Sequence, residues 1–450
     1  MRHVQDREIL RLAVPAFLAL SAEPLFLLSD AAIVGHLGTT PLAGLGIAAV
    51  VLQTAVGLCV FLAYGTTASV ARHLGAGDTR GALAQGVDGI WLAVVIGVVT
   101  TVAGVALTDA LVGLFGTGPA VTEQAATYLR IAFLGTTPLL VMLAATGVLR
   151  GLQDTKTPLY VAVGGNALNI ALNLVLVYGA DLGIAGSALG SVLAQVASAV
   201  ALTWVVVRAA RREGAPLRPD HPGIRAAARA GVPLVVRTLT LRAALLVTTY
   251  AVTLGAFDAT DQAVDIATHQ LAFTLWTFLA FVLDSIAIAA QALTGRYLGA
   301  GDIAGTRAVT DRMIRWGVWS GVVTGLGLAA ASPVLGPLFT DDPAVHDRLV
   351  EVLLVAAAGQ PIAGVVFVLD GVLIGAGDGR FLAWGGVLTL LVYAPAALGV
   401  AFAGGGLLLV WVAFASVFMG ARFVVLLRRA RGTAWLVTGV AGRESERPLQ

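Results

Sequence analysis

The chain has 450 residues, of which 58% are hydrophobic and only 12% charged, and its formal net charge is +2. Soluble domains carry roughly 25% charged residues, so this composition excludes an ordinary soluble enzyme, and nothing in it marks a nucleic-acid partner. The single cysteine, Cys59, excludes an internal disulfide and a cysteine-based metal cluster.

The apolar residues fall into twelve runs, each long enough to cross a hydrocarbon core, which takes about 20 residues. In chain order the runs are 11–36, 44–70, 84–110, 124–147, 158–179 and 186–208, then 230–255, 264–294, 308–333, 347–370, 381–402 and 406–429. A basic, proline-containing stretch at 208–223 separates the sixth run from the seventh. The predicted fold is an all-α membrane protein of twelve transmembrane helices in two pseudo-symmetric six-helix bundles. The first bundle is expected over 1–210, a cytoplasmic linker over 211–223, and the second bundle over 224–450 with a short basic tail. Arg7, Arg72, Arg150, Arg211, Arg296, Arg380 and Arg428 fall on one side of the spans and Asp109, Asp181, Asp265 and Asp341 on the other, with Arg348 the main exception on the acidic side and Arg130 a little deeper. By the positive-inside rule the arginine-bearing loops, and with them both termini, are cytoplasmic. No cleavable leader is expected, because the charged N-terminus runs into a full-length span.

Within the first run, Asp30 is expected in the outer half. A carboxylate there needs a partner or water, and a group that gains and loses a proton at that depth is a candidate switch. Glu23 lies seven residues earlier on nearly the same helix face, and Pro24 is expected to kink the helix. Glu23 is either a second protonatable step or a buried carboxylate paired with a neighbouring helix.

ArgHisLeuGlyAlaGlyAsp at 72–78 returns as ArgTyrLeuGlyAlaGlyAsp at 296–302, an offset of 224 residues. LeuPhe-x3-ProAlaVal at 114–121 and 338–345, and GlyValLeu-x-Gly-x2-Asp at 147–154 and 371–378, keep the same offset. Loops repeated at one fixed distance mark a duplicated unit, and in a hydrophobic chain paired halves are a common transporter plan. Each half crosses six times, so the repeats are parallel. The loops lack the Lys-Ser/Thr of a phosphate loop and read as tight turns, with glycine supplying left-handed angles and aspartate capping the next helix.

In the fifth run Asn166, Asn169 and Asn173 share one helix face. Their amides either hold a protonated carboxyl, supply oxygen to a cation, or bond helices together. Arg237 and Arg242 in the seventh run and Asp284 in the eighth are expected to form an Arg–Asp pair between adjacent helices, structural or in contact with substrate. His269 and Gln270 begin the eighth run, and a lone histidine there is a packing residue or a ligand. No zinc-protease helix, nucleophile elbow or P-loop is present in the sequence, so no enzyme is expected.

At these residues the chain resembles the multidrug and toxic compound extrusion (MATE) family, most closely its DNA-damage-inducible F (DinF) branch. ProLeu-x2-Leu-x-Asp-x3-ValGly-x-LeuGly at 24–38 resembles that family's first helix, and LeuArgGlyLeuGlnAspThrLysThrPro at 149–158 its loop between spans four and five. Asn169-x3-Asn173-x4-Tyr178 with GlyIleAlaGlySerAlaLeu at 183–189 resembles spans five and six, and HisGln at 269–270 with Asp284 the eighth. The resemblance implies an antiporter of two six-helix bundles that exports organic, often cationic or amphiphilic, compounds by alternating access. It places Asp30 on the first-span aspartate linked to cation coupling, with Asn169 and Ser191 on polar positions around it. Asn173 stands where many prokaryotic relatives carry a second carboxylate, which favours protons over sodium as the coupling ion.

The expectation is therefore a proton-coupled exporter of small organic substrates, without a metal or other cofactor. It is monomeric in the bilayer of a bacterial cytoplasmic membrane. The alternative is a lipid-linked saccharide flippase of the same superfamily, which needs more basic residues around its cavity to meet pyrophosphate.

Overall fold

A computed structural model describes residues 2–255 and 259–440, and every regular element among them is helical. The helices are α1 (Arg2–Gly35), α2 (Thr39–Leu58), α3 (Phe61–Gly75), α4 (Thr79–Gly113), α5 (Pro119–Leu134), α6 (Thr136–Gly151), α7 (Lys156–Leu174) and α8 (Gly183–Arg212). They continue with α9 (His221–Leu254), α10 (Ala259–Gly299), α11 (Ile303–Phe339), α12 (Pro343–Gly375), α13 (Gly379–Phe402), α14 (Gly406–Ala413) and α15 (Met419–Arg431). Among the described residues eleven helical segments are long and apolar enough to span a bilayer, and α5 with α6, bent by 47°, make the twelfth. The predicted twelve runs are these segments.

Observed helices outrun the apolar runs. Helix α10 has 41 residues, against the run of 264–294 expected within it. At 1.5 Å per residue it is about 60 Å long, twice a hydrocarbon core, so its polar ends project beyond the apolar layer. Hydropathy marks only the part that lipid requires to be apolar.

The chain divides into two compact units, one from Val14 to Gly231 and the other from Val232 onward together with the chain up to Ala13. The first turns of α1 thus cluster with the C-terminal unit, whereas the expected boundary placed them with the N-terminal bundle. Ion pairs account for this. Asp6 accepts from the Arg312 guanidinium and, at 2.8 Å, from Trp316 Nε1 of α11, while Glu8 takes Arg296 Nη2 of α10 at 2.5 Å. The remainder of α1 belongs to the N-terminal unit.

In the N-terminal unit α2 packs on α5, α4 on α6 and α3, and α7 on α8. Val34, Leu45, Val112, Leu129, Phe133 and Ile184 are buried together. The linker is short, from the end of α8 at Arg212 to the start of α9 at His221. It is fastened to α4, whose Trp91 Nε1 donates to the Leu217 carbonyl at 3.1 Å and whose Asp88 accepts from the Asp220 amide at 3.3 Å. In the C-terminal unit α12 is the central, most buried span, packed on α10 and α11. Small residues permit the approach, as membrane helices require without a hydrophobic drive between them. A methyl added at Gly364 would lie 2.0 Å from the Gly317 carbonyl oxygen.

The duplicated loops have matching geometry. Asp78 caps α4 by accepting from the Gly81 amide at 2.7 Å, and Asp302 caps α11 by accepting from Gly305 at 2.7 Å. The preceding glycines, Gly77 and Gly301, are left-handed, at φ 77° and 74°. Asp302→Ala removes the α11 cap, a loss of about 1 kcal/mol, and the Gly305 amide is expected to exchange hydrogen about fivefold faster. Amide exchange read by mass spectrometry on peptides covering α11 checks this. At the other loop, the Gly81 amide and then His73 hold the Asp78 carboxyl below the usual carboxylate range. A group whose folded value is lowered stabilises above its unfolded value and loses that contribution as pH falls through the folded one. Protection of the Gly81 amide is therefore expected to persist below about pH 4, the ordinary aspartate value, and to vanish only on further acidification.

Candidate functional site

Six polar side chains from four helices meet inside the N-terminal unit. Asp30 comes from α1, Tyr128 from α5, Asn169 and Asn173 from α7, and Ser187 and Ser191 from α8. Each pair on α7 and α8 has i, i+4 spacing, which sets both members on one helix face. Asp30 is only 3% exposed. Its Oδ1 accepts from Asn173 Nδ2 at 3.0 Å and from the Ser187 hydroxyl, and its Oδ2 accepts from the Tyr128 hydroxyl at 3.0 Å. Three donors on two oxygens suit the ionised carboxylate, which is acceptor-only.

A second layer holds the first. Asn173 Nδ2 also reaches Asn169 Oδ1 at 3.3 Å, and Asn169 donates to Ser191 Oγ at 3.0 Å. The predicted Asp30, Asn169, Asn173 and Ser191 are thus one connected network. Asn169 and Ser191 belong to its outer layer, and Tyr128 and Ser187 are the additional contacts on Asp30. Asn173 Oδ1 is buried and takes no hydrogen bond among the described residues.

Local backbone features position these groups. Helix α7 continues as a π-helical segment over Val175–Gly179, a widening often found at functional sites, and Tyr178 there donates to the Ile33 carbonyl at 2.6 Å. Asn166 donates to the Ala22 carbonyl at 2.7 Å, in the turn leading into Pro24. Asn166 thus braces α1 where proline weakens it. Glu23 is exposed and joins no ion pair among the described residues, so it lies outside the network. Gly190 lets α8 approach α7: a methyl there would lie 2.0 Å from Asn173 Oδ1.

In the C-terminal unit Arg237 donates to Asp370 of α12, the carboxylate the sequence reading left out when it paired Arg237 with Asp284. Arg422 of α15 lies 3.6 Å from the same Asp370 oxygen. Arg242 is exposed. Five residues turn an α-helix by about 140° beyond a full circle, so Arg242 cannot face the helices that Arg237 faces. Asp284 is half-buried on α10. His269 is buried, and its Nδ1 accepts from Trp411 Nε1 at 3.2 Å, which leaves the ring proton on Nε2 toward Thr249 Oγ1 at 3.1 Å. Gln270 is exposed beside it. Phe273, Trp276, Trp411, Phe414, Phe418 and Tyr393 continue from His269 as one aromatic cluster.

Signals for all but one of the missed residues were present. Asp370 and Arg422 are ionisable groups inside the tenth and twelfth runs, where the rule applied to Asp30 applies equally. Ser187 sits between Gly186 and Gly190, the small-residue spacing of a close helix contact. Tyr128 had no signal, because a tyrosine in a span is ordinary.

A family model described as MatE matches residues 15–175 and 242–398. The chain belongs to the MatE family. These proteins are membrane transporters, not enzymes, and the family is one of multidrug efflux. Protein DETOXIFICATION 44, chloroplastic, of Arabidopsis thaliana is 31% identical over 413 residues, covering 86% of this chain and 77% of its own. DNA damage-inducible protein F of Escherichia coli (strain K12) is 31% identical over 300 residues, covering 66% of this chain and 64% of its own. A crystal structure of MATE in the bent conformation has the same fold, with a TM-score of 0.87 at 22% identity over 96% of each chain.

Gly190→Ala is expected to push the Asn173 amide off Asp30 and to cost about 1–3 kcal/mol, the range for overpacking. Thermal unfolding in detergent should show a lowered Tm, while Gly46→Ala, where a methyl meets nothing within 4 Å, should melt with the wild type.

Proposed function

We propose that this MatE protein is a secondary active antiporter that exports organic, cationic or amphiphilic compounds in exchange for protons, with Asp30 as the coupling group. The observation that carries this reading is the set of three donors on Asp30, one of which is an amide. When Asp30 is ionised, Asn173 Nδ2 donates to it. When Asp30 takes a proton it becomes a donor, and the Asn173 amide can turn its oxygen to accept. A carboxylate at position 173 could accept in this way but could not donate to ionised Asp30. The site therefore suits both protonation states without recruiting another group.

On this reading, a proton from outside neutralises Asp30 and the attraction for a cationic group is lost. Helix α1 then rearranges near Pro24, where its backbone bonding is weakest, and substrate leaves outward. Return to the inward state releases the proton. Coupling requires only that proton and substrate prefer different states of one carboxyl. We place both termini and the arginine-rich loops on the cytoplasmic side of a bacterial inner membrane, and we take the working unit as one chain. Sodium is the less favoured ion, because Asp30 is the one carboxylate of the network and the remaining oxygens are amide and hydroxyl. Those oxygens are nonetheless of the class that ligates hard cations.

In liposomes with an imposed pH gradient, Asp30→Asn is expected to lose gradient-driven movement of a fluorescent organic cation by about tenfold or more, one catalytic group's worth, while keeping the wild-type Tm. Full pH-driven transport by that variant would remove Asp30 from the mechanism. The ion is tested separately. Wild-type protein should melt at the same temperature in sodium and in potassium buffer. Asn173→Asp sets a second carboxylate beside Asp30, and like charges so close favour a bound cation or a retained proton. That variant should gain a sodium-specific rise in Tm. An equal rise in the wild type would assign the coupling ion to sodium.

A further inference from the structure

One face of α8 changes character along its length. Val196, Val200 and Trp204 follow one another at i, i+4 and i+8, and Arg208, Arg211 and Arg212 continue the same slanting stripe. All six side chains are exposed, Val200 at 63% and Trp204 at 59%. The opposite face is packed. Leu202, Val206 and Ala210 are buried, and Ala210 lies with Leu83 and Val87 of α4. The stripe therefore faces away from the unit's interior. From Val196 to Arg208 it runs about 18 Å, close to the depth of one hydrocarbon leaflet, about 15 Å.

The cationic end of the stripe is a shallow recess lined by Trp204, Val207, Arg208, Arg211 and Arg212. Arg208 Cζ lies 5.3 Å from the centre of the Trp204 ring, a cation–π contact that holds one guanidinium at the edge of the apolar part. None of the three arginines makes an ion pair or a side-chain hydrogen bond among the described residues, and the adjacent Glu213 pairs with none of them. A tryptophan with arginines one turn beyond it is the composition of a membrane–water interface. Charge alone does not make this stripe distinctive. Arg428 and Arg431 near the end of α15 are also exposed and unpaired among the described residues, but they follow Val424 and have no ring contact there.

We propose that this stripe is a binding site for an anionic phospholipid of the leaflet that the C-terminal end of α8 meets. The phosphodiester takes the guanidinium forks of Arg208, Arg211 and Arg212, since its two free oxygens match a fork at two points. The glycerol region lies on Trp204, and an acyl chain follows Val200 and Val196. A water-soluble anion would meet the arginines and leave the apolar part of the stripe unused. A lipid without net charge would do the reverse. The arginines lie about 25 Å along α8 from Ser191, so the lipid site is separate from the Asp30 network and does not depend on it.

Equilibrium binding of tritiated dioleoylphosphatidylglycerol to the purified full-length protein in a neutral detergent tests this. Wild type should bind it saturably, and dioleoylphosphatidylcholine should compete poorly. Arg208→Gln combined with Arg211→Gln and Arg212→Gln should weaken binding about 100-fold, from about fivefold for each arginine at an anionic surface. Arg208→Lys keeps the charge without the fork and should lose less than Arg208→Gln alone. Trp204→Ala should weaken binding about threefold through the lost ring. These side chains are exposed, so every variant should keep the wild-type Tm. Arg428→Gln with Arg431→Gln removes charge at the end of α15 and should leave the affinity unchanged, as should Asp30→Asn. Unchanged affinity in the triple arginine variant, or an equal loss in the α15 variant, would overturn the proposal. So would displacement by glycerol 3-phosphate in the same concentration range, which would assign the arginines to a soluble phosphate, or equal competition by dioleoylphosphatidylcholine.

Discussion

Within the hydrocarbon core there is no water to solvate a charge, so a carboxylate carried there must be satisfied by the protein around it. Asp30 depends on this constraint, and much of the N-terminal unit is arranged to meet it. Tyr128, Asn173 and Ser187 come from three different helices to reach its two oxygens. Helices α7 and α8 must approach closely for Asn173 and Ser187 to converge, and Gly190 permits that approach. The π-helical segment after Asn173 and the bond from Tyr178 to Ile33 then fix α7 against α1 beside the carboxylate. Removing Asp30's charge would relieve the requirement on the helices around it.

The duplicated chain does not duplicate this arrangement. At the repeat offsets, Asp30 corresponds to Thr248, Asn169 to Tyr393 and Ser187 to Trp411. Thr248 and Tyr393 share a hydrogen bond of 2.6 Å, and Trp411 packs edge-on against Phe414, so the equivalent place is neutral and aromatic. The turns, by contrast, are preserved down to the cap distance, at Asp78 and at Asp302. A turn is a local solution that either copy can keep. A buried charge needs partners from several helices at once, and a copy that loses the charge has no further use for them.

The same distinction explains what could be read from the amino-acid string. Spans, turns and the duplication depend on local composition, so Asp30, the asparagine face and the glycine-aspartate loops were all legible. The second bundle of contacts on Asp30 was not. Tyr128 lies 98 positions away and Ser187 157; nothing distinguishes Tyr128 from an ordinary packing residue, and the glycines around Ser187 mark a close helix contact but not which helix or group it meets. Arg237 was recognised as a buried cation with a partner expected on the next helix in sequence. It donates to Asp370, 133 positions on, because α12 is the central helix of its unit. The first turns of α1, expected with the N-terminal bundle, cluster with the C-terminal unit for a related reason. Asp6 and Glu8 look like a polar leader to a span, and only the positions of Arg312 and Arg296 give them partners.

The two units thus hold charges of different kinds. In the N-terminal network the central charge is a carboxyl among amides and hydroxyls, partners that can donate or accept as its proton comes and goes. Around Asp370 in the C-terminal unit the neighbouring charges are the guanidiniums of Arg237 and Arg422, which keep their protons in proteins, so their sign is fixed. A carboxyl can change its charge with pH, while a guanidinium keeps its sign throughout, so the two units hold ionisable groups that respond differently to the same medium.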